Sequence, residues 1–202
     1  MTSRPWCSWL ECEGYGAMPD IGDHRPDWFG HEQKRVRFGA AWAVALSVFV
    51  LVVLVMARPF GMPDFPDAGA RLLFTVRADL FVVGWLGVMV ARVAQRRFFS
   101  ADDIAGRAAG DGGDGVRRAN AVLENTLEQV VFAVGCHLGL ASVLPGRFMI
   151  VVPGLVGLFC VGRALFWLGY RGGAGSRALG FGLTFYPSVG AFLAAVGFLV
   201  FG

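Results

Sequence analysis

Charge is scarce in this chain of 202 residues: 16% are Asp, Glu, Lys or Arg, against 55% hydrophobic, and the mean hydropathy is +0.57. About a quarter of the residues of a soluble domain are charged. The shortage excludes an ordinary water-soluble fold and marks an integral membrane protein. Cysteine is also sparse, with Cys7 and Cys12 in a polar segment and Cys136 and Cys160 in apolar runs, so no extracellular disulfide framework is indicated. The three histidines and four cysteines show no C-x2-C or H-x3-H spacing, which excludes a zinc site of the usual kind. RGGAGS at 171–176 lacks the GK[ST] ending of a phosphate-binding loop and is expected to be a tight turn. The net charge of +3 is small and the arginines sit beside apolar runs, a membrane-edge pattern that speaks against nucleic acid.

What the chain has in quantity is apolar runs of membrane-crossing length, about 20 residues each. Residues 1–37 are polar, carry six acids and show no cleavable signal, and are expected to form a cytoplasmic tail. An uncharged leading span follows at 38–57, then a proline-rich external loop. The second span is expected near 80–99 with Asp79 as its N-cap, placing Arg71 and Arg77 ahead of it. The third covers about 116–144, after a Gly- and Asp-rich loop. The fourth covers 148–170, interrupted by Pro153, and the fifth 177–200 with Ser176 as its N-cap. Arginine and lysine concentrate on the side holding the tail, the 100s loop and the 171–176 turn, so the chain is expected to run N-in and C-out.

One segment stands out among these spans. RRANAVLENTLEQVVF, residues 117–132, enters the membrane carrying two arginines, two asparagines, two glutamates and a glutamine. At about 100° per residue, with Arg117 at zero, Glu124 falls near 340°, Glu128 near 20°, Ala121 near 40° and Asn125 near 80°. These positions form one wedge. Carboxylates this deep need protein or water around them and cationic partners. Arg92 and Arg96 share a helix face, as do Arg163 and Tyr170, and Arg177 opens the last span. Together they predict a charged pocket at the cytoplasmic edge of a helical bundle. An ion-paired subunit interface is the competing reading of Glu124 and Glu128. A transporter fits less well, because apart from His137 the polar groups stop near Gln129. His137 and Cys136 lack further ligands at usable spacing and are expected to be packing residues.

NTLEQVV, residues 125–131, resembles the N-x-x-E signature of the second family helix in the MAPEG superfamily, the membrane-associated proteins of eicosanoid and glutathione metabolism. RALFWLGYRGGAGSRALGF, 163–181, is similar to that family's arginine, tyrosine seven residues on, and second arginine opening the last helix. RRFFSADD, 96–103, resembles the end of its first helix more weakly. The resemblance implies an all-α membrane bundle of four helices at 79–202, here with the 38–57 helix added. It implies a homotrimer with glutathione held between subunits on the cytoplasmic side. It also implies a glutathione transferase or peroxidase acting on a lipophilic electrophile or lipid hydroperoxide. Carried over by position, Asn125, Glu128 and Gln129 contact the glutathione backbone and ammonium, Arg92 or Arg96 and Arg163 its carboxylates, Tyr170 adds a hydroxyl, and Arg177 stabilises the thiolate; Arg117, one turn earlier, or Arg118 substitutes by a shifted reach for the basic residue absent at 121. Ala121 stands where the family usually has arginine, and Phe166 or Trp167 where it commonly has tyrosine. A non-catalytic protein of the same fold, with the wedge as an ion-paired interface or small-anion site, is the alternative.

Overall fold

The computed structural model describes residues 27–57, 65–100, 104 and 113–201. Cys7, Cys12, His24, Arg58, Arg107 and most of the expected tail lie outside them. Among the described residues the chain is all helical: α1 Asp27–Ala57, α2 Ala68–Phe98, α3 Asp114–Val143, α4 Val151–Gly169 and α5 Ala174–Phe201, with short 3-10 turns at Gly146–Phe148 and Tyr170–Gly172. All five helices are long and apolar enough to cross a membrane. Apolar side chains that remain on the surface, such as Phe81 and Leu199, suit a lipid setting rather than water.

Several boundaries differ from expectation for local reasons. The cap of α2 is Asp67, whose Oδ1 accepts from the Ala70 N–H at 2.7 Å. Asp79 lies buried well inside that helix, 3% exposed, where His137 Nδ1 of α3 meets its Oδ1 at 2.7 Å. The apolar positions between the two acids, Leu72, Leu73, Phe74 and Val76, carry the helix across the two arginines. Arg71 thus sits on the helix and donates from Nε to the Ala141 carbonyl at 3.0 Å and from Nη2 to the Ser142 carbonyl at 3.2 Å. A cation at the C-terminal carbonyls of α3 satisfies groups the helix leaves open. Pro153 does not interrupt α4; it falls in the first turn, where a missing N–H costs nothing. Ser176 does not cap α5, which begins at Ala174. Its hydroxyl instead donates to the carbonyls of Gly169 and Gly173 and locks the turn.

Helix α1 starts at Asp27, well before the expected Phe38, and packs chiefly along α5, running in the same direction. A Cβ on Gly39 would fall 2.9 Å from the Ala178 Cβ, so only glycine permits this approach. Glu32 Oε1 accepts the Gly175 N–H at 2.6 Å and serves as the side-chain cap that α5 lacks locally. Glu32→Ala is expected to lower stability by about 1 kcal/mol, the usual worth of an N-cap, read as a small downward shift of the thermal midpoint in detergent. Helices α4 and α5 meet where a Cβ on Gly162 would lie 2.8 Å from the Gly180 carbonyl oxygen. Gly173, at φ 91°, lets the chain reverse between them.

Candidate functional site

Arg163 is the centre of the polar arrangement. It points from α4 into the bundle and is 2% exposed. Its Nη1 donates to Asn125 Oδ1 of α3 at 3.0 Å and its Nη2 to Thr184 Oγ1 of α5 at 2.9 Å. The guanidinium carbon lies 4.5 Å from the Phe166 ring centroid and 5.8 Å from that of Phe159. Among the described residues its Nε has no partner, nor has Oε1 of buried Gln129, one turn beyond Asn125. Among the described residues no carboxylate pairs with this buried cation. Every partner it has is neutral, which leaves a positive field in a setting of low dielectric.

Beside it lies a cavity of about 420 Å³. Asn125, Phe166, Tyr170, Arg177 and Phe181 line it, and so do Ala121 and, from α1, Val36 and Ala40. Arg177 lies across the Tyr170 ring, with its guanidinium carbon 4.7 Å from the centroid. Tyr170 in turn meets Phe166 edge-on at 5.6 Å. Cation–π contact orients the guanidinium without neutralising it.

A second cavity, of about 300 Å³, lies on the other side of Tyr170 and is lined by Arg92, Arg96, Arg118 and Arg171 together with Trp167 and Met89. Arg92 donates from Nη1 to Gln95 at 2.6 Å, while Arg96 lies against the start of α3, its Nη1 3.2 Å from where a Gly115 Cβ would stand. The expected single pocket is thus divided within one chain, and Tyr170 lines both of these cavities. Arg92 and Arg96 belong to the smaller, Asn125 and Arg177 to the larger, and Arg163 sits behind the larger, bonded to its Asn125.

The wedge on α3 also divides. Arg117 is exposed and pairs with Asp114 within its own helix. Glu124 and Glu128 are exposed on the outer face, away from both cavities, whereas Asn125 is half-buried and Gln129 buried. The expected common face is therefore an edge: its carboxylate side looks outward and its amide side looks into the bundle. Sequence reasoning missed Thr184, the Asp79–His137 pair and the contribution of α1. A helix extended back to Asp67 would have placed Asp79 within the membrane, where an ionisable residue demands a partner. No group of three or more metal-ligating side chains occurs among the described residues.

The comparisons with known proteins agree with this architecture. Transmembrane protein 79 of Bos taurus is 25% identical over 189 residues, which is 91% of this chain and 45% of the relative. Transmembrane protein 79 of Mus musculus is 27% identical over 152 residues, 73% of this chain and 38% of the relative. The chain thus spans less than half the length of these curated relatives. No solved structure matches. The sequence model of the MAPEG family matches residues 72–197, from the second turn of α2 nearly to the end of α5, and includes both cavities' arginines from Arg92 to Arg177. This multi-pass membrane protein belongs to the MAPEG family.

Proposed function

We propose that this protein is a membrane-embedded, glutathione-dependent transferase or peroxidase acting on a lipophilic electrophile or lipid hydroperoxide. Helices α2 to α5 are its four-helix family bundle and α1 is an addition. The observation that carries the reading is the buried Arg163, which has no carboxylate partner among the described residues and is held by Asn125 beside a cavity also lined by Tyr170 and Arg177. An anion is the missing complement. The glutathione thiol, with an ordinary pKa near 8.5, is mostly protonated at neutral pH, and a fixed guanidinium favours its thiolate. In conjugation the thiolate sulfur attacks the electrophilic carbon and the leaving group departs with the bonding electrons. In peroxide reduction two glutathiones give up two electrons to the O–O bond, yielding disulfide, alcohol and water.

In the proposed homotrimer Glu124 and Glu128, which face outward in one protomer, turn toward a neighbouring copy. Glutathione then spans the subunit boundary, its ammonium toward Glu128 and its carboxylates toward Arg92 and Arg96. The arginine-rich ends face the cytoplasm, following the positive-inside rule.

Titration of the detergent-solubilised protein with glutathione, followed by calorimetry and by the ultraviolet absorbance of thiolate, tests the reading. Saturable binding with a thiolate signal is expected. Arg177→Ala is expected to raise the bound thiol's pKa by about 1 unit or more, removing that signal at neutral pH. Absence of binding at millimolar glutathione would sink the proposal. Ala121, lining the cavity where the family usually has a cation, favours a second reading, a non-catalytic protein whose wedge is an ion-paired interface. Under that reading Glu128→Gln dissociates the oligomer and glutathione never binds.

A further inference from the structure

Four guanidiniums gather at the end of the bundle where α2 stops, α3 starts and α4 turns into α5. Arg92 and Arg96, one turn apart on α2, Arg118 near the start of α3 and Arg171 of the turn after α4 all line the cavity of about 300 Å³. A guanidinium keeps its charge at any physiological pH. Among the described residues none of the four joins an ion pair, and Arg92 donates to the neutral Gln95. Among those residues no carboxylate lines this cavity or its neighbour of about 410 Å³, which Arg92, Arg96 and Gly115 line as well. Like charges gathered around one small cavity repel one another, and an anion is their complement.

The start of α3 adds to the same field. Its N-cap is Gly113, which has no side chain to offer the first turn, and the acid of that turn, Asp114, pairs with Arg117. The positive end of the helix dipole stands beside Arg96, whose Nη1 lies 3.2 Å from where a Gly115 Cβ would be. Glutathione matches this charge poorly, because its own ammonium offsets its carboxylates, and Arg171 has no part in the contacts proposed for it. A phosphate monoester carries a charge of about −1.5 to −2 at neutral pH, and its oxygens accept the paired N–H groups of an arginine fork. Toward the middle of the bundle the cavity is floored by the buried Met89 and Val122, and the exposed Trp167 and Leu168 flank it. A basic side at the membrane surface and an apolar side toward lipid suit a phosphate carried on a lipid headgroup.

We infer that this cavity is a site for a phosphate monoester carried on a lipid headgroup, with the phosphate among Arg92, Arg96, Arg118 and Arg171 at the start of α3. The inference goes beyond the proposed function and needs no glutathione. Arg92 and Arg96 are also the residues proposed to receive glutathione's carboxylates, so the two ligands compete; that competition alone rests on the proposed function.

The test is native mass spectrometry of the full-length protein in detergent, titrated with dioctanoyl phosphatidylinositol 4-phosphate, with dioctanoyl phosphatidylinositol, and with inositol 1,4-bisphosphate as the free headgroup. The first lipid is expected to bind roughly tenfold tighter than the second, which lacks the monoester. Arg118→Gln and Arg171→Gln, at exposed positions where a lost charge leaves folding intact, are each expected to weaken that binding roughly fivefold, the worth of one basic contact at a membrane surface. Arg147→Gln, in the turn at the opposite end of the bundle, is expected to leave it unchanged. Equal affinity for the two lipids, or a loss in Arg147→Gln as large as in Arg171→Gln, would overturn the inference and reduce the effect to general surface charge. The free headgroup is expected to bind more weakly than its lipid; equally tight binding would uphold the phosphate site and make its ligand a soluble ester. Selective lipid binding by a protein that takes up no glutathione upholds the inference and defeats the glutathione reading alone. Glutathione binding without lipid selectivity does the reverse.

Discussion

His137→Leu is expected to destabilise the protein by about 3–5 kcal/mol, the cost of leaving one half of a buried pair without its partner. Among the described residues the carboxylate of Asp79 has a single partner, His137, and its Oδ2 has none even in the intact structure. Leucine at 137 would leave both oxygens bare and buried, in a helix long and apolar enough to cross the membrane. Asp79→Ala is expected to cost less, about 1–3 kcal/mol, since it strands only an imidazole nitrogen. The double variant should be more stable than His137→Leu alone, with a coupling energy of up to about 3 kcal/mol between the sites. Thermal or SDS-induced unfolding of the four proteins in one detergent measures the cycle. Additive losses would show that the 2.7 Å contact contributes nothing, and that each side chain acts through packing alone.

This pair also shows where sequence reading stopped. Apolar runs located five spans, because lipid allows no unpaired backbone and each crossing must be a helix of set length. The motifs around Asn125 and Arg163 identified the family, since their spacing is local to one helix or one turn. Asp79 was misplaced because an aspartate next to an apolar run looks like a cap. Only the more distant His137 reveals that it is an interior residue. The wedge on α3 was correct as a set of angles but not as a single surface: periodicity gives relative directions around a helix and leaves open which direction meets the bundle. Nor did the pattern of α1 disclose its neighbour. Its contact with α5 depends on Gly39 and on the reach of Glu32 to Gly175, and small residues carry little periodic signal.

Arg163 is the position where stability and the proposed function are expected to separate. It is the largest fully buried side chain of the described residues, so Arg163→Ala should open a cavity and cost about 3–5 kcal/mol, as large-to-small changes in a packed core do. Arg163→Met fills most of that space and removes a charge that no carboxylate of the described residues neutralises. Replacement of buried ionic groups by well-packed apolar ones is often neutral or stabilising by about 1–4 kcal/mol. The Met variant is therefore expected to be at least as stable as the parent without ligand. If the uncompensated guanidinium exists to receive an anion, glutathione should raise the unfolding free energy of the parent by about 2.7 kcal/mol at a hundredfold excess over Kd and do nothing for Arg163→Met. A parent unaffected by glutathione, together with a Met variant clearly less stable than it, would identify Arg163 as a structural clamp of α3, α4 and α5 through Asn125 and Thr184. The anion site would then have to be sought among Arg92, Arg96, Arg118 and Arg171.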